Sequence, residues 1–149
     1  MGTPYGLNLE EGEKILWMGK RSIRSLWLPF VAGIIFILMA TFMTGISLLL
    51  TSLLGVLFIL YGISRWLRVD YVITSERALK ITRHYAFIYL LKYDVEEIRR
   101  ERIRSFYSLE KGIPGIKYWN LIIENGGKIV FTGLGDTEEV KKILSKGED

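Results

Sequence analysis

The run Arg99-Arg100-Glu101-Arg102-Ile103-Arg104 places four arginines and one glutamate in six consecutive positions. Guanidinium groups at that density are suited to holding phosphate. Read as a strand, the run puts Arg100, Arg102 and Arg104 on one face and Arg99, Glu101 and Ile103 on the other. Two uses follow. The three guanidiniums hold a phosphate, such as that of a lipid headgroup, or they pair with Glu96, Glu97, Glu101, Glu110 and Glu124. Pairing would make a charged edge strand that resists aggregation, which is the commoner role of such runs.

Elsewhere, residues that could do chemistry are sparse. The chain has one histidine and no cysteine, which removes disulfides, thiol nucleophiles and cysteine metal sites. His84 follows Arg83 at an expected turn, with nothing near it in sequence to orient it as a general base. Glu96 and Glu97 are adjacent and point to opposite faces of a strand. No phosphate loop, zinc spacing or nucleophile elbow is present. The chain therefore reads as non-catalytic, with no catalytic residues, no metal site and no cofactor. Residues 65–149 hold 16 basic against 13 acidic residues and residues 1–24 hold 4 against 3, giving the net +4. That excess is too small for a dedicated nucleic-acid binder.

These residues are positioned by two different kinds of chain. Between Arg24 and Arg65 there is no Asp, Glu, Lys, Arg or His. A single helix over 40 residues would be about 60 Å long, roughly twice a hydrocarbon core, so two spans with a turn near residues 44–47 are expected. Lys20, Arg21 and Arg24 precede the first span and Arg65 and Arg68 follow the second, with no cation in the turn. This predicts a two-pass protein of the cell membrane with both termini cytoplasmic. Arg24, Trp27, Tyr61, Arg65, Trp66 and Arg68 are the expected interface anchors, the aromatic rings lying at headgroup level. Folding back about Gly45 sets Ala40 near Ser52, Gly55 near Phe36 and Ile37, and Gly62 near Pro29. With no ionisable group in either span, the hairpin reads as an anchor and not as a conduction path.

From Arg68 onward the pattern alternates with period two. Strands are expected through residues 69–75 and 77–83, after a break near His84 through 86–93, and on through the arginine run. Gly112–Gly115 is a turn, and residues 118–134 form a hairpin with Asn125-Gly126-Gly127 at its tip. Residues 136–146 form a helix that Asp136 or Thr137 caps, with Val140, Ile143 and Leu144 as its apolar stripe.

In this order the elements resemble the membrane-anchored, bacterial-type pleckstrin-homology (PH) domain proteins of bacteria and archaea. The resemblance rests on LEEGEKILWMGKRSI (9–23) before the hairpin and YVITSERALKI (71–81) after it, then YDVEEI (93–98), EKGIPGI (110–116) and IVFTGLGDTEEVKKIL (129–144). It implies a transmembrane helical hairpin plus an all-β PH-like barrel of about seven strands in two orthogonal sheets, capped by a C-terminal helix. Residues 1–24 would be a cytoplasmic segment, 25–64 the hairpin and 65–149 the PH-like domain. Val72, Leu79, Ile81, Phe87, Leu121, Ile123, Val130 and the helix stripe would fill the core, and Thr74 and Arg77 would close the first hairpin. The family's glycine after the second strand is replaced here by His84-Tyr85. Residues 14–18 either add a strand or remain interfacial. The function expected is a non-catalytic membrane-tethered module that presents the domain to protein or anionic lipid. The alternative is an accessory or ring-forming subunit that associates with another protein or with itself.

Overall fold

The charge-free stretch forms two helices, each satisfying its own backbone hydrogen bonds. In the computed structural model, which describes residues 7–86 and 89–146, α1 covers Trp27–Ala40 and α2 covers Gly45–Leu67. Gly45 starts α2 at φ 61°, a value that favours glycine at the turn. The helices touch backbone to backbone: a Cβ on Gly33 would lie 2.9 Å from the Gly55 carbonyl oxygen, and one on Gly55 would lie 2.7 Å from Ile37. Phe36 and Phe58 stack at 5.5 Å. Gly55 thus meets Ile37 as expected, and Gly62 packs under Phe30, next in sequence to the expected Pro29. α2, and α1 together with the 3-10 turn before it (Ile23–Ala40, 18 residues), are long and apolar enough to cross a membrane, and most of their large side chains, such as Leu28, Ile46 and Leu49, face outward.

Seven strands follow the alternating pattern. They are β1 (Ile15–Lys20), β2 (Val69–Thr74), β3 (Arg77–Ala86), β4 (Tyr89–Arg99), β5 (Ser105–Ile113), β6 (Ile116–Glu124) and β7 (Lys128–Leu134), and α3 (Glu138–Ser145) comes last. They form two antiparallel sheets, ordered β1-β2-β3-β4 and β5-β6-β7. The seven strands and final helix agree with the expected architecture. Residues 14–18 are settled by the register: β1 pairs with β2, Trp17 opposite Ile73 and Lys20 opposite Asp70. The helical hairpin is therefore inserted between two neighbouring strands of one sheet.

Three local expectations change. β3 does not break at His84-Tyr85; it continues to Ala86, and a register shift between these two residues absorbs the irregularity. The arginine run is not a strand: Arg100–Arg102 form a short 3-10 turn between β4 and β5, because the chain must there leave one sheet for the other. The core is also divided. Tyr71, Ile73, Leu121, Ile123, Phe131, Val140 and Leu144 pack between the sheets and α3. Val72, Leu79 and Ile81 lie on the opposite face of the first sheet, under Leu7 and Leu9 of the N-terminal segment. Strand β2 is buried on both faces, so its alternation could not show which side was inward. In β7 the buried residues are Ile129, Phe131, Gly133 and Leu134, and Val130 is half-buried; Phe87 lies outside the described residues. At α3, the Asp136 carboxylate accepts the Glu138 amide at 3.0 Å. Val140 and Leu144 are buried while Ile143 is partly so.

Candidate functional site: the basic junction of hairpin and barrel

Where β1 leaves the sheet, Ser22 donates its amide to the Gly133 carbonyl at 2.7 Å, tying the start of the hairpin to β7. A 3-10 turn (Ile23–Leu26) follows, with the Ser22 hydroxyl accepting from the Arg24 amide. Gly133 has φ 74°, and a Cβ there would overlap Ser25 and crowd Arg21, so the close approach depends on glycine. The Ser25 hydroxyl donates to the Ser22 carbonyl at 2.7 Å and accepts from Arg21 Nε at 2.8 Å. These bonds aim the Arg21 guanidinium toward the end of α2. Burial lowers its pKa and the neighbouring Arg65 lowers it further, because both disfavour the charged form.

Across from Arg21, the last turns of α2 supply Tyr61, Arg65 and Arg68, and the sheet supplies Val69 and Thr82. Together these line a cavity of about 380 Å³. Arg65 donates to the Tyr61 hydroxyl at 3.1 Å, and the neighbouring Lys20 ammonium stands 5.7 Å from the Trp66 ring. Three guanidiniums thus converge with no acid among the lining residues. The nearby Asp70 is turned to the other face of the sheet, where it pairs with Arg83. Of the anchors expected from sequence, Tyr61, Arg65 and Arg68 share the cavity and Trp66 lies under Lys20. Arg24 is exposed in the turn and Trp27 is half-buried at the start of α1, apart from that lining. Arg21 and Thr82 were not among the expected site residues, since only the fold brings positions 21, 65, 68 and 82 together.

The arginine run lies at the other end of the sheet. Arg99 is opposite Arg77 in the register, while the hairpin joins at Asp70 and Lys20. The intervening strand measures about 20 Å, well beyond a Debye length of about 8 Å. Arg100 donates through Nη2 to the Ile143 carbonyl at 2.6 Å, where a cation suits the negative end of α3. Arg102 and Arg104 are exposed, and the three do not share a strand face. The acids expected to neutralise them pair elsewhere: Glu96 with Lys80, Glu97 with Arg77, and Glu110 with Lys117. Glu101 approaches Arg99 at 4.0 Å, and Glu124 accepts from Ser105 and Tyr107.

This distal end is fastened by Glu13, whose side chain is fully buried. Its carboxylate accepts from Arg77 Nε and Nη2 at 3.0 Å, from the Thr74 hydroxyl and from the Glu10 amide. Burial alone would push the carboxyl up, but these donors outweigh it and hold the pKa at about 2. Arg77 also reaches Glu97 and the Asn8 carbonyl, binding the N-terminal segment, β2, β3 and β4 into one cluster.

His84 does have an orienting partner, contrary to the sequence reading: its Nε2 lies 2.8 Å from Asp94, which also pairs with Lys92. Sequence alone does not show this contact, because His84 meets Asp94 only once β3 and β4 pair. Lys92 first and His84 second hold the Asp94 carboxyl below its usual range. Among the described residues, no group of three or more His, Asp or Glu is placed to hold a metal ion.

No family model and no curated protein sequence matches the chain. Among solved structures, a pleckstrin homology domain from Shewanella amazonensis SB2B is similar over 54% of this chain and 74% of that chain, with 20% identity and a TM-score of 0.39.

Proposed function

We propose that the chain is a non-catalytic, membrane-tethered PH-like module. In this reading α1 and α2 anchor it, both termini are cytoplasmic, and the junction of hairpin and barrel holds the phosphate of an anionic lipid. The observation that carries the reading is the convergence of Arg21, Arg65 and Arg68, without an acid, where the apolar helices end. Each near-surface cation gains about 1 kcal/mol from an anionic leaflet, and guanidinium forks fit phosphate oxygens. The arginine run 100–104 stands too far along the sheet to share that field and serves the barrel itself, Arg100 by capping α3.

The test is thermal unfolding of the full chain in neutral detergent, with short-chain phosphatidylglycerol or phosphatidylcholine added. A lipid at a hundredfold over its Kd stabilises by about 2.7 kcal/mol, which for a domain of this size is a rise of about 10 °C or more. The rise is expected with phosphatidylglycerol, not with phosphatidylcholine, and is lost in the triple variant R21Q/R65Q/R68Q. Equal shifts with both lipids, or a shift that survives in the triple variant, would refute the headgroup assignment.

The self-associating alternative has an observation of its own. Among the described residues β1 is an edge of its sheet and exposes Ile15, Leu16 and Met18, and apolar edges of this kind pair readily. Mass measurement of the solubilised protein decides it, since a defined oligomer lost on Leu16→Lys would replace the monomeric reading.

A further inference from the structure

Strands β3 and β4 outrun the sheet. Val69, the first residue of β2, pairs with Thr82, yet the β3–β4 ladder continues through Arg83–Tyr93, His84–Lys92, Tyr85–Leu90 and Ala86–Tyr89. Four residues of β3 therefore project beyond the start of β2, roughly 13 Å at the rise of a strand. The direction of the projection is fixed by the junction. Thr82 lines the same cavity as Tyr61 and Arg65, and β2 is reached from α2 through the single residue Arg68. The ladder thus leaves the sheet on the side of the last turns of α2. From Leu67 back to Tyr61 the helix rises about 9 Å, a length comparable with that of the projection.

The projection is two-faced. One face is ionic, with His84 and Lys92 both on Asp94. The other carries Tyr93, which is 46% exposed, its cross-strand partner Arg83, paired with Asp70, and the half-buried Tyr85. Between Tyr85 and Leu91 the sequence has no charge and no Gly, Pro, Asn or Asp. A pair of tyrosines flanked by cations beside the last turns of α2 matches the interfacial zone of a bilayer, where amphipathic rings and basic groups are favoured. We propose that the outward face of the projecting strands, at Tyr85 and Tyr93, is a second membrane contact that seats the barrel against the lipid surface beside its own anchor. The inference rests on the membrane reading given above.

Because the chain has no cysteine, single substitutions each accept one nitroxide label. Leu54→Cys in the span, Tyr85→Cys and Tyr93→Cys on the projection, and Lys128→Cys at the start of β7 are prepared in the full chain in nanodiscs. Collision of each label with oxygen, which partitions into lipid, is compared with collision with a water-soluble nickel chelate. The expected result is oxygen dominance at residues 54, 85 and 93 and nickel dominance at 128. Nickel dominance at both 85 and 93, with 54 still in lipid, overturns the second contact and leaves the anchor standing. Labels at 85 and 93 shielded from both reagents show a protein contact there and overturn it equally. A label at 54 that meets water overturns the membrane reading itself.

Discussion

Replacing Glu13 by glutamine keeps the shape of the side chain and removes the charge that Arg77 encloses. Glu13 falls from an ordinary 4.5 to about 2 in the folded protein, a difference of about 3 kcal/mol at 1.36 kcal/mol per unit. Because the folded value is the lower one, this stability is fully present above pH 4.5 and is lost as pH falls toward 2. Glu13→Gln is therefore expected to unfold about 3 kcal/mol more easily than wild type at pH 7, some 12 °C or more lower in Tm. The gap should close between pH 4.5 and 2. Thermal unfolding of both proteins in detergent, followed by near-ultraviolet circular dichroism of the barrel aromatics, measures it. Asp94 also titrates low, held by Lys92 and His84, but it is exposed and common to both proteins, so it cancels in the comparison. A gap below about 1 kcal/mol at pH 7, or one unchanged at pH 2.5, would refute the claim that this buried pair fastens the N-terminal segment.

Leu144→Ala should cost about 2–4 kcal/mol as a cavity in the core, whereas Lys142→Ala, on the exposed side of α3, should stay within about 0.5 kcal/mol in urea unfolding. Arg100→Gln should lose about 1–2 kcal/mol with its bond to the Ile143 carbonyl, and Arg102→Gln nearly nothing, which calorimetry would distinguish. Gly55→Val should force α1 and α2 apart at a cost of about 1–3 kcal/mol, read as a longer distance between spin labels on the two helices. Cysteine at Ile46 should react with an impermeant maleimide in intact cells and cysteine at Asn125 should not; the opposite pattern would reverse the topology.

The hairpin was legible because a gap in charge from residue 25 to 64 is a property of neighbours in sequence, and so was α3, whose caps and stripe are local. The pairing of β1 with β2 was left open because its partners are separated by the whole hairpin, and no local pattern encodes such a distance. Burial of β2 on both faces hid the inward side and merged two apolar clusters into one. The arginine run misled for a related reason: alternation is meaningful only within a strand, and the chain turns there between sheets. The candidate site was half legible. Tyr61, Arg65 and Arg68 follow from the end of a span, while Arg21 enters through the approach of Ser25 to Gly133, which composition does not announce.

Insertion of the hairpin between two paired strands also has a bearing on how the protein is made. A ribosome releases β1 first, and the 48 residues between Lys20 and Val69 must follow before its partner exists, roughly 2–10 s at ordinary rates of synthesis. During that interval Leu16 and Met18 are unpaired in the nascent chain. If only one of the two helices then crossed the bilayer, β1 and β2 would emerge on opposite sides and could never meet. If the two helices cross a bilayer as proposed above, pairing of β1 with β2 doubles as a proofreading step for insertion, since only a chain that has passed out and back retains both halves of its first sheet in one compartment.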